Sequence, residues 1–86
     1  LDIRLPHCQS LKDKRAVLRP VIEGLRHRHP VAVAEVDHQD LWQRARLAVV
    51  TVNTDHGHLD ATLQSVTGEA ENARDIMVAD SHVEIL

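Results

Sequence analysis

The chain has 86 residues, of which 43% are hydrophobic and 27% are charged, and its formal net charge is −3. This composition excludes a disordered chain and predicts one domain over residues 1–86 with an aliphatic core, since Phe and Tyr are absent. A single cysteine excludes an internal disulfide and a CxxC motif, and no apolar run is long enough for a signal peptide or a membrane span. We therefore expect a cytoplasmic protein that does not enter a membrane.

The charges are divided unevenly along the chain. Residues 1–46 carry nine Lys and Arg against six Asp and Glu, whereas residues 47–86 carry one against seven. The first part is therefore positive and the second strongly negative. This segregation leaves room for a local basic surface on an acidic protein.

The first part of the chain predicts a strand followed by a helix. Residues 1–5 alternate apolar and charged side chains, as a half-buried strand does, and we expect a few residues of this strand to precede Leu1. Ser10 and Asp13 have the spacing of a capping box and predict a helix that continues to about His27. Pro20 removes one backbone hydrogen bond of this helix, so we expect a kink without a break.

The second part predicts two strands, a helix and a last strand. Residues 31–37 and 44–53 are rich in Val and Ala and predict a hairpin, whose polar corner holds Trp42, the only aromatic residue. Asp55 predicts the cap of a second helix, and Gly68 predicts fraying or a loop over residues 69–75. Residues 76–86 mix apolar and polar positions and predict the last strand.

This order of elements is the split βαβ pattern, and it predicts an α+β, ferredoxin-like fold. We expect a four-stranded antiparallel sheet in the order four-one-three-two, with both helices on one face. The start of the first helix and the hairpin corner then lie at one end of the fold. In the third strand, Leu47 and Val49 face the helices, which leaves Ala48, Val50 and Val52 on the open face. A second copy could cover them, so we expect a homodimer.

Three segments resemble the YlxP-like family of small bacterial proteins, a domain of unknown function numbered 503. They are SLKDKR at residues 10–15, VAEV at residues 33–36 and DLWQRA at residues 40–45. The resemblance covers essentially the whole chain. It implies a ferredoxin-like fold and, from the usual neighbourhood of the family's genes with those for transcription and translation factors, a connection with RNA or the ribosome.

The first and last of these motifs meet at the same end of the predicted fold. A helix N-terminus, several cations and a stackable indole together suit a phosphate or a nucleotide. The candidate anion-binding or nucleic-acid-binding residues are Lys12, Arg15, Trp42, Gln43 and Arg44. Two structural alternatives stay open. Lys14 lies on the apolar side of the helix and could pair internally with Glu35, Asp37 or Asp40, and Trp42 could simply cover the end of the core.

Seven histidines include the pairs His27 and His29, and His56 and His58, which the topology places at the opposite end. Without thiolates they predict solvated side chains and no metal site. No glycine-rich phosphate loop or catalytic motif is recognisable, so we expect neither a cofactor nor an enzyme. Three classes remain: a binding module for structured RNA or the ribosomal subunit, a self-associating protein-interaction domain, and an enzyme of unrecognised type.

Overall fold

The structure, a computed structural model, describes residues 1–85 and contains the six predicted elements in the predicted order. They are β1 (Asp2–Arg4), α1 (Leu11–Arg28), β2 (Ala32–Asp37), β3 (Arg44–Val50), α2 (His56–Glu71) and β4 (Met77–Asp80). All four strands are shorter than predicted, and the largest differences are that β3 ends at Val50 and β4 ends at Asp80. The last predicted strand residue, Leu86, lies outside the described residues.

The four strands form one antiparallel sheet in the order β2-β3-β1-β4. Read from the other edge, this is the predicted order, and the ferredoxin-like fold is confirmed. Two irregularities interrupt the ladders: the register shifts between Glu35 and Asp37 in β2, and between Asp2 and Ile3 in β1. The first shift lies at the hairpin corner, where His38 adopts a left-handed conformation with φ of 63°.

Both helices begin at the predicted caps. Ser10 Oγ accepts a hydrogen bond from Asp13 N at 3.0 Å, and Asp55 Oδ1 accepts one from Gly57 N at 2.8 Å. α1 continues without a break through Pro20. The predicted fraying after Gly68 was wrong for its first residues, because α2 continues to Glu71. Asn72 fixes this end, since its backbone N–H and its side-chain amide both donate to Gly68 O.

The core lies between the sheet and the two helices and is entirely aliphatic apart from Cys8. Its larger buried side chains come from three strands, the loop after β1 and both helices, and include Ile3, Leu5, Leu18, Leu25, Val33, Leu47 and Val66. No helix or strand of residues 1–85 covers the opposite face of the sheet. There Val50 is 59% exposed and pairs with Ala32, while Ala48 pairs with Ala34. The predicted division into a covered and an open face therefore holds for the residues within β3, whereas Val52 lies beyond the end of the strand.

The outer edge of β2 is occupied by side chains. Arg26 Nη2 donates to Val33 O, and Gln39 Nε2 donates to Glu35 O at 3.4 Å. These two carbonyls are two residues apart in the strand and so point the same way. Side-chain donors from α1 and from the hairpin corner thus take acceptors that an edge strand otherwise leaves free.

Neither of the two helices found within residues 1–85 has the length and hydrophobicity needed to cross a membrane.

An ion-pair cluster ties the end of α1 to α2. Arg28 donates to both carboxylate oxygens of Glu69, at 2.9 and 2.8 Å, and His29 Nε2 lies 3.2 Å from Glu69 Oε1. The hydrogen bonds from Arg28 lower the pKa of Glu69 below its ordinary value of 4.5, and the bond with His29 adds to this effect. The folded state therefore favours the charged carboxylate.

A pH-dependent stability follows from this cluster. Because the pKa of Glu69 is depressed on folding, its contribution is present above about pH 4.5 and is lost as the pH falls through the folded-state pKa. We expect Glu69→Gln to melt below wild type at neutral pH and to match it in acid. Thermal unfolding followed by circular dichroism over a pH series measures this. Glu71→Gln, an exposed change two residues further along, is the control. Equal melting of wild type and Glu69→Gln at neutral pH would contradict the prediction.

Candidate functional site

The two motif-bearing segments meet at one end of the fold, as predicted. Gln43 Nε2 donates to Cys8 O at 3.0 Å and to Pro6 O at 3.4 Å. Leu5 N donates to Gln43 O at 3.0 Å. Gln43 therefore joins the hairpin corner to the loop before α1. Its side-chain amide is already engaged by backbone carbonyls, which makes it a positioning residue for this end of the fold.

The N-terminus of α1 is partly capped by nearby side chains. Ser10 Oγ accepts from Asp13 N, and Asp13 Oδ2 accepts from Gln9 N at 3.0 Å. A carboxylate also adds negative charge where an anion would sit. The backbone groups of this helix start are consequently a poorer anion site than the sequence predicted, and binding has to come from the cationic side chains.

Lys14 is directed inward and is only 2% exposed. Its Nζ lies 2.6 Å from Glu35 Oε2 and donates to His38 O at 2.7 Å. Of the three carboxylates considered from the sequence, Glu35 is the partner. The left-handed backbone at His38 presents the carbonyl that Lys14 reaches. Lys14 therefore fastens α1 to the hairpin and is unavailable to a ligand.

Lys12 and Arg15 are exposed and belong to a longer row of cations on one flank of α1. At 100° per residue, this flank carries four cations within about one sixth of the helix circumference. We call it the α1 basic stripe, and its members are Lys12, Arg15, Arg19 and Arg26. Among residues 1–85, none of the four lies within ion-pair distance of a carboxylate. Within the described residues, these four cations therefore have no ion-pair partner.

A groove of about 530 Å³ lies beside the α1 basic stripe, between α1 and the edge of β2. Leu18 and Ile22 contribute apolar surface to it, and Arg15, Arg19 and Arg26 line one side. Two carboxylates, Glu23 and Glu35, also line the groove, and Glu35 is already paired with Lys14. The groove is thus a partly apolar channel with an excess of positive charge.

Arg44 and Trp42 do not join Lys12 and Arg15, contrary to the sequence-based prediction. Ala45 and Leu47 are buried under the helices, so alternation along β3 places Arg44 on the open face of the sheet. The pKa of Asp2, which precedes Ile3 on β1, supports this placement: a hydrogen bond from Arg46 lowers it first, and the charge of Arg44 lowers it further. The predicted five-residue site is therefore divided between two surfaces.

On the open face, Arg44 is directly opposite Arg4 in the pairing of β1 and β3. Arg46, two residues along the same strand, is neutralised by Asp2 at 2.9 Å and Asp37 at 3.5 Å. Neither Arg4 nor Arg44 has such a partner within the described part of the chain, and Arg44 Nε is buried without a hydrogen-bond acceptor. Like charges directly opposite in a sheet are destabilising. This pair therefore raises the local positive potential.

Trp42 is 51% exposed and is not a member of the core cluster. It lines a shallow depression of about 430 Å³ that also includes Arg44 and Asp40. The alternative that Trp42 covers the end of the core does not fit this position. Its indole is free to stack against a flat group from outside the chain.

The histidine pairs are separated in the structure. His29 contacts Glu69, which lies eleven residues beyond His58 in α2, a helical rise of about 16 Å. Within residues 1–85, no group of three or more His, Cys, Asp and Glu side chains is arranged to hold a metal ion. The absence of a metal site stays a prediction.

The lone cysteine, Cys8, is 2% exposed, and burial is the main cause that raises the pKa of its thiol. The thiol is therefore neutral at neutral pH, where a nucleophilic cysteine would need to be a thiolate.

Sequence reasoning missed three cations of these two surfaces. Arg19 follows Arg15 by four residues and Arg26 follows Arg19 by seven, and this helical spacing was a readable signal. Arg4 could be placed on the open face by alternation with Ile3 and Leu5. Its position opposite Arg44 depends on the register of two strands that are 40 residues apart, for which the sequence carries no signal.

The chain is similar in sequence to a known protein family and to a bacterial relative. The family described as "Protein of unknown function (DUF503)" matches residues 1–83. The chain belongs to the DUF503 family. A Bacillus subtilis relative, "Uncharacterized protein YlxP", is 33% identical over 57 residues, or 66% of this chain. This match spans 62% of the relative's length. The resemblance inferred from the SLKDKR and DLWQRA motifs is therefore confirmed at the level of the DUF503 family.

Proposed function

We propose that this DUF503 protein is a non-enzymatic binding module for structured RNA, such as that of a ribosomal subunit, and that RNA phosphates lie along the α1 basic stripe. The observation that carries the proposal is the row of four cations on one helix flank, without carboxylate partners in residues 1–85. Lys and Arg that are free of internal ion pairs can neutralise phosphates and release counterions.

The dimensions of the α1 basic stripe suit a stretch of nucleic-acid backbone. From Lys12 to Arg26 the helix rises by about 21 Å, which spans several successive phosphates. Arg15 and Arg19 are one turn apart, and both line the groove beside β2. Arg26 keeps its charge while it donates to Val33 O. The net charge of −3 opposes association, so we expect modest affinity with a marked dependence on salt.

The test replaces Lys12, Arg15 and Arg19 together by Ala. These three side chains are exposed and make no ion pair in the described residues, so the variant should fold as wild type does. We expect binding to ribosomal subunits or structured RNA to weaken at least tenfold, and the salt slope to fall by roughly one unit per lost contact. A filter-binding or anisotropy titration at several salt concentrations measures both.

A charge-matched control separates a specific stripe from general electrostatics. Ala61→Glu, Gln64→Glu and Ser65→Glu, all exposed on α2, change the net charge by the same amount at a distance from the α1 basic stripe. This control should keep most of the affinity. If both variants lose binding equally, the α1 basic stripe is not the interface. If wild type binds neither ribosomal subunits nor structured RNA at low salt, the proposed function is wrong.

A second candidate function is self-association through the open face of the sheet. One half of this face is apolar, with the cross-strand pairs Ala32–Val50 and Ala34–Ala48 and with Val36 50% exposed. Small and β-branched side chains in register make a flat surface onto which an identical face can pack. The α1 basic stripe lies on the other side of the sheet, so a dimer would leave it accessible.

A further inference from the structure

We propose that Arg4, Arg44 and Trp42 form a second site, in which the two guanidinium groups hold a phosphate and the indole stacks on the base of an unpaired nucleotide. The site lies on the open face of the sheet, away from the α1 basic stripe. The inference deepens the proposed function and rests on it in one respect, since the ligand is a nucleotide of a bound RNA strand.

The arginine pair supplies the phosphate-binding part of the site. Arg4 and Arg44 are directly opposite each other in β1 and β3, and neither lies within ion-pair distance of a carboxylate in residues 1–85. Arg46, the next arginine on the same face, shows the contrast, because two aspartates neutralise it. A phosphate between Arg4 and Arg44 would accept hydrogen bonds from both guanidinium groups and remove the repulsion.

The exposed indole of Trp42 supplies the base-binding part of the site. Trp42 and Arg44 line the same depression, so a nucleotide whose phosphate lies at the arginine pair can bring its base to the indole. A base that stacks on an aromatic side chain must be out of its own helix, which restricts the ligand to unpaired nucleotides. Asp40 also lines the depression, and its carboxylate disfavours a second phosphate on that side. The geometry therefore points to one nucleotide and its phosphate at this position.

The test uses Trp42 as its own reporter, because it is the only tryptophan in the chain. Single-stranded oligouridylate should quench Trp42 fluorescence in a saturable manner, and a duplex RNA of the same length should not. Arg4→Gln should bind oligouridylate roughly tenfold more weakly, as expected for loss of one charge-assisted phosphate contact. Thermal melting of Arg4→Gln should equal or exceed that of wild type, because the substitution removes a like-charge pair.

Arg46→Gln is the matched control, since it removes an arginine from the same face that the protein already neutralises. It should keep the affinity for oligouridylate. The site is wrong if oligouridylate leaves Trp42 unquenched, if Arg4→Gln binds as wild type does, or if Arg46→Gln loses as much affinity.

Binding of structured RNA, measured on the same variants, separates the two proposals. If RNA binding needs the α1 basic stripe but oligouridylate does not quench Trp42 fluorescence, this second site alone is wrong. If quenching of Trp42 fluorescence needs Arg4 but the α1 basic stripe variant binds RNA as wild type does, the proposed α1 interface alone is wrong.

Discussion

Replacing Lys14 by Ala is expected to destabilise the protein by roughly 3 kcal/mol, because it removes one partner of a buried ion pair and leaves the other behind. Glu35 is 23% exposed, and its carboxylate would lose the ammonium group that lies at 2.6 Å. His38 O would lose a hydrogen bond at 2.7 Å. For a domain of this size, the change corresponds to a fall in Tm of more than about 10 °C.

Lys12→Ala is the control for this experiment. It removes the same side chain two residues earlier, from an exposed position, and should change stability by less than about 0.5 kcal/mol. Chemical denaturation of the three proteins gives the comparison. The double change Lys14→Met with Glu35→Leu should recover part of the loss, since no charge is then left without its partner. A Lys14→Ala variant as stable as wild type would show that the pair does not hold α1 to the hairpin.

Replacing Val50 by Asp is expected to abolish self-association, if the open face is the contact between two copies. In a symmetric dimer the substitution occurs twice, and one buried charge without a partner costs several kcal/mol. The dissociation constant should therefore rise by roughly a thousandfold. Light scattering or sedimentation across micromolar concentrations measures this. Val50 is 59% exposed in the single chain, so the fold itself should tolerate the change.

Ala61→Asp provides the control for Val50→Asp, because it places the same charge on the exposed side of α2. It should leave the dimer intact. A wild-type protein that stays monomeric at high micromolar concentration would remove the self-association proposal, and the apolar half of the sheet would then be an ordinary exposed surface.

Much of the fold could be predicted because its signals are local. The N-cap residues Ser10 and Asp55 predicted where the two helices begin. Alternation along β3 predicted that Leu47 lies in the core and Val50 on the open face. The end of α2 was harder to predict, because the low helix propensity of glycine indicated that the helix ends near Gly68. A cap made by Asn72 overrides that preference. The inward direction of Lys14 was also readable, since it occupies an apolar position of α1.

The candidate site was less predictable because the side chains of one segment divide between two faces. Gln43 and Arg44 are adjacent, yet Gln43 contacts the loop before α1 while Arg44 lies across the sheet, beside Arg4. Topology places both at one end of the fold, and only the alternation of β3 separates them. The choice among the carboxylates for Lys14 depended on the register shift between Glu35 and Asp37, close to the left-handed residue His38. Such irregularities have no reliable mark in the sequence.

The side-chain donors along β2 also affect how readily this protein can aggregate. With Val33 O and Glu35 O already bound by Arg26 and Gln39, a foreign strand cannot extend the sheet at that edge without first displacing them. Arg26 belongs to α1, so this protection of the β2 edge depends on the helix staying docked. A partial unfolding that lifts α1 would uncover a six-residue, Val- and Ala-rich template. Conditions that loosen α1 should therefore promote aggregation well before the sheet itself melts.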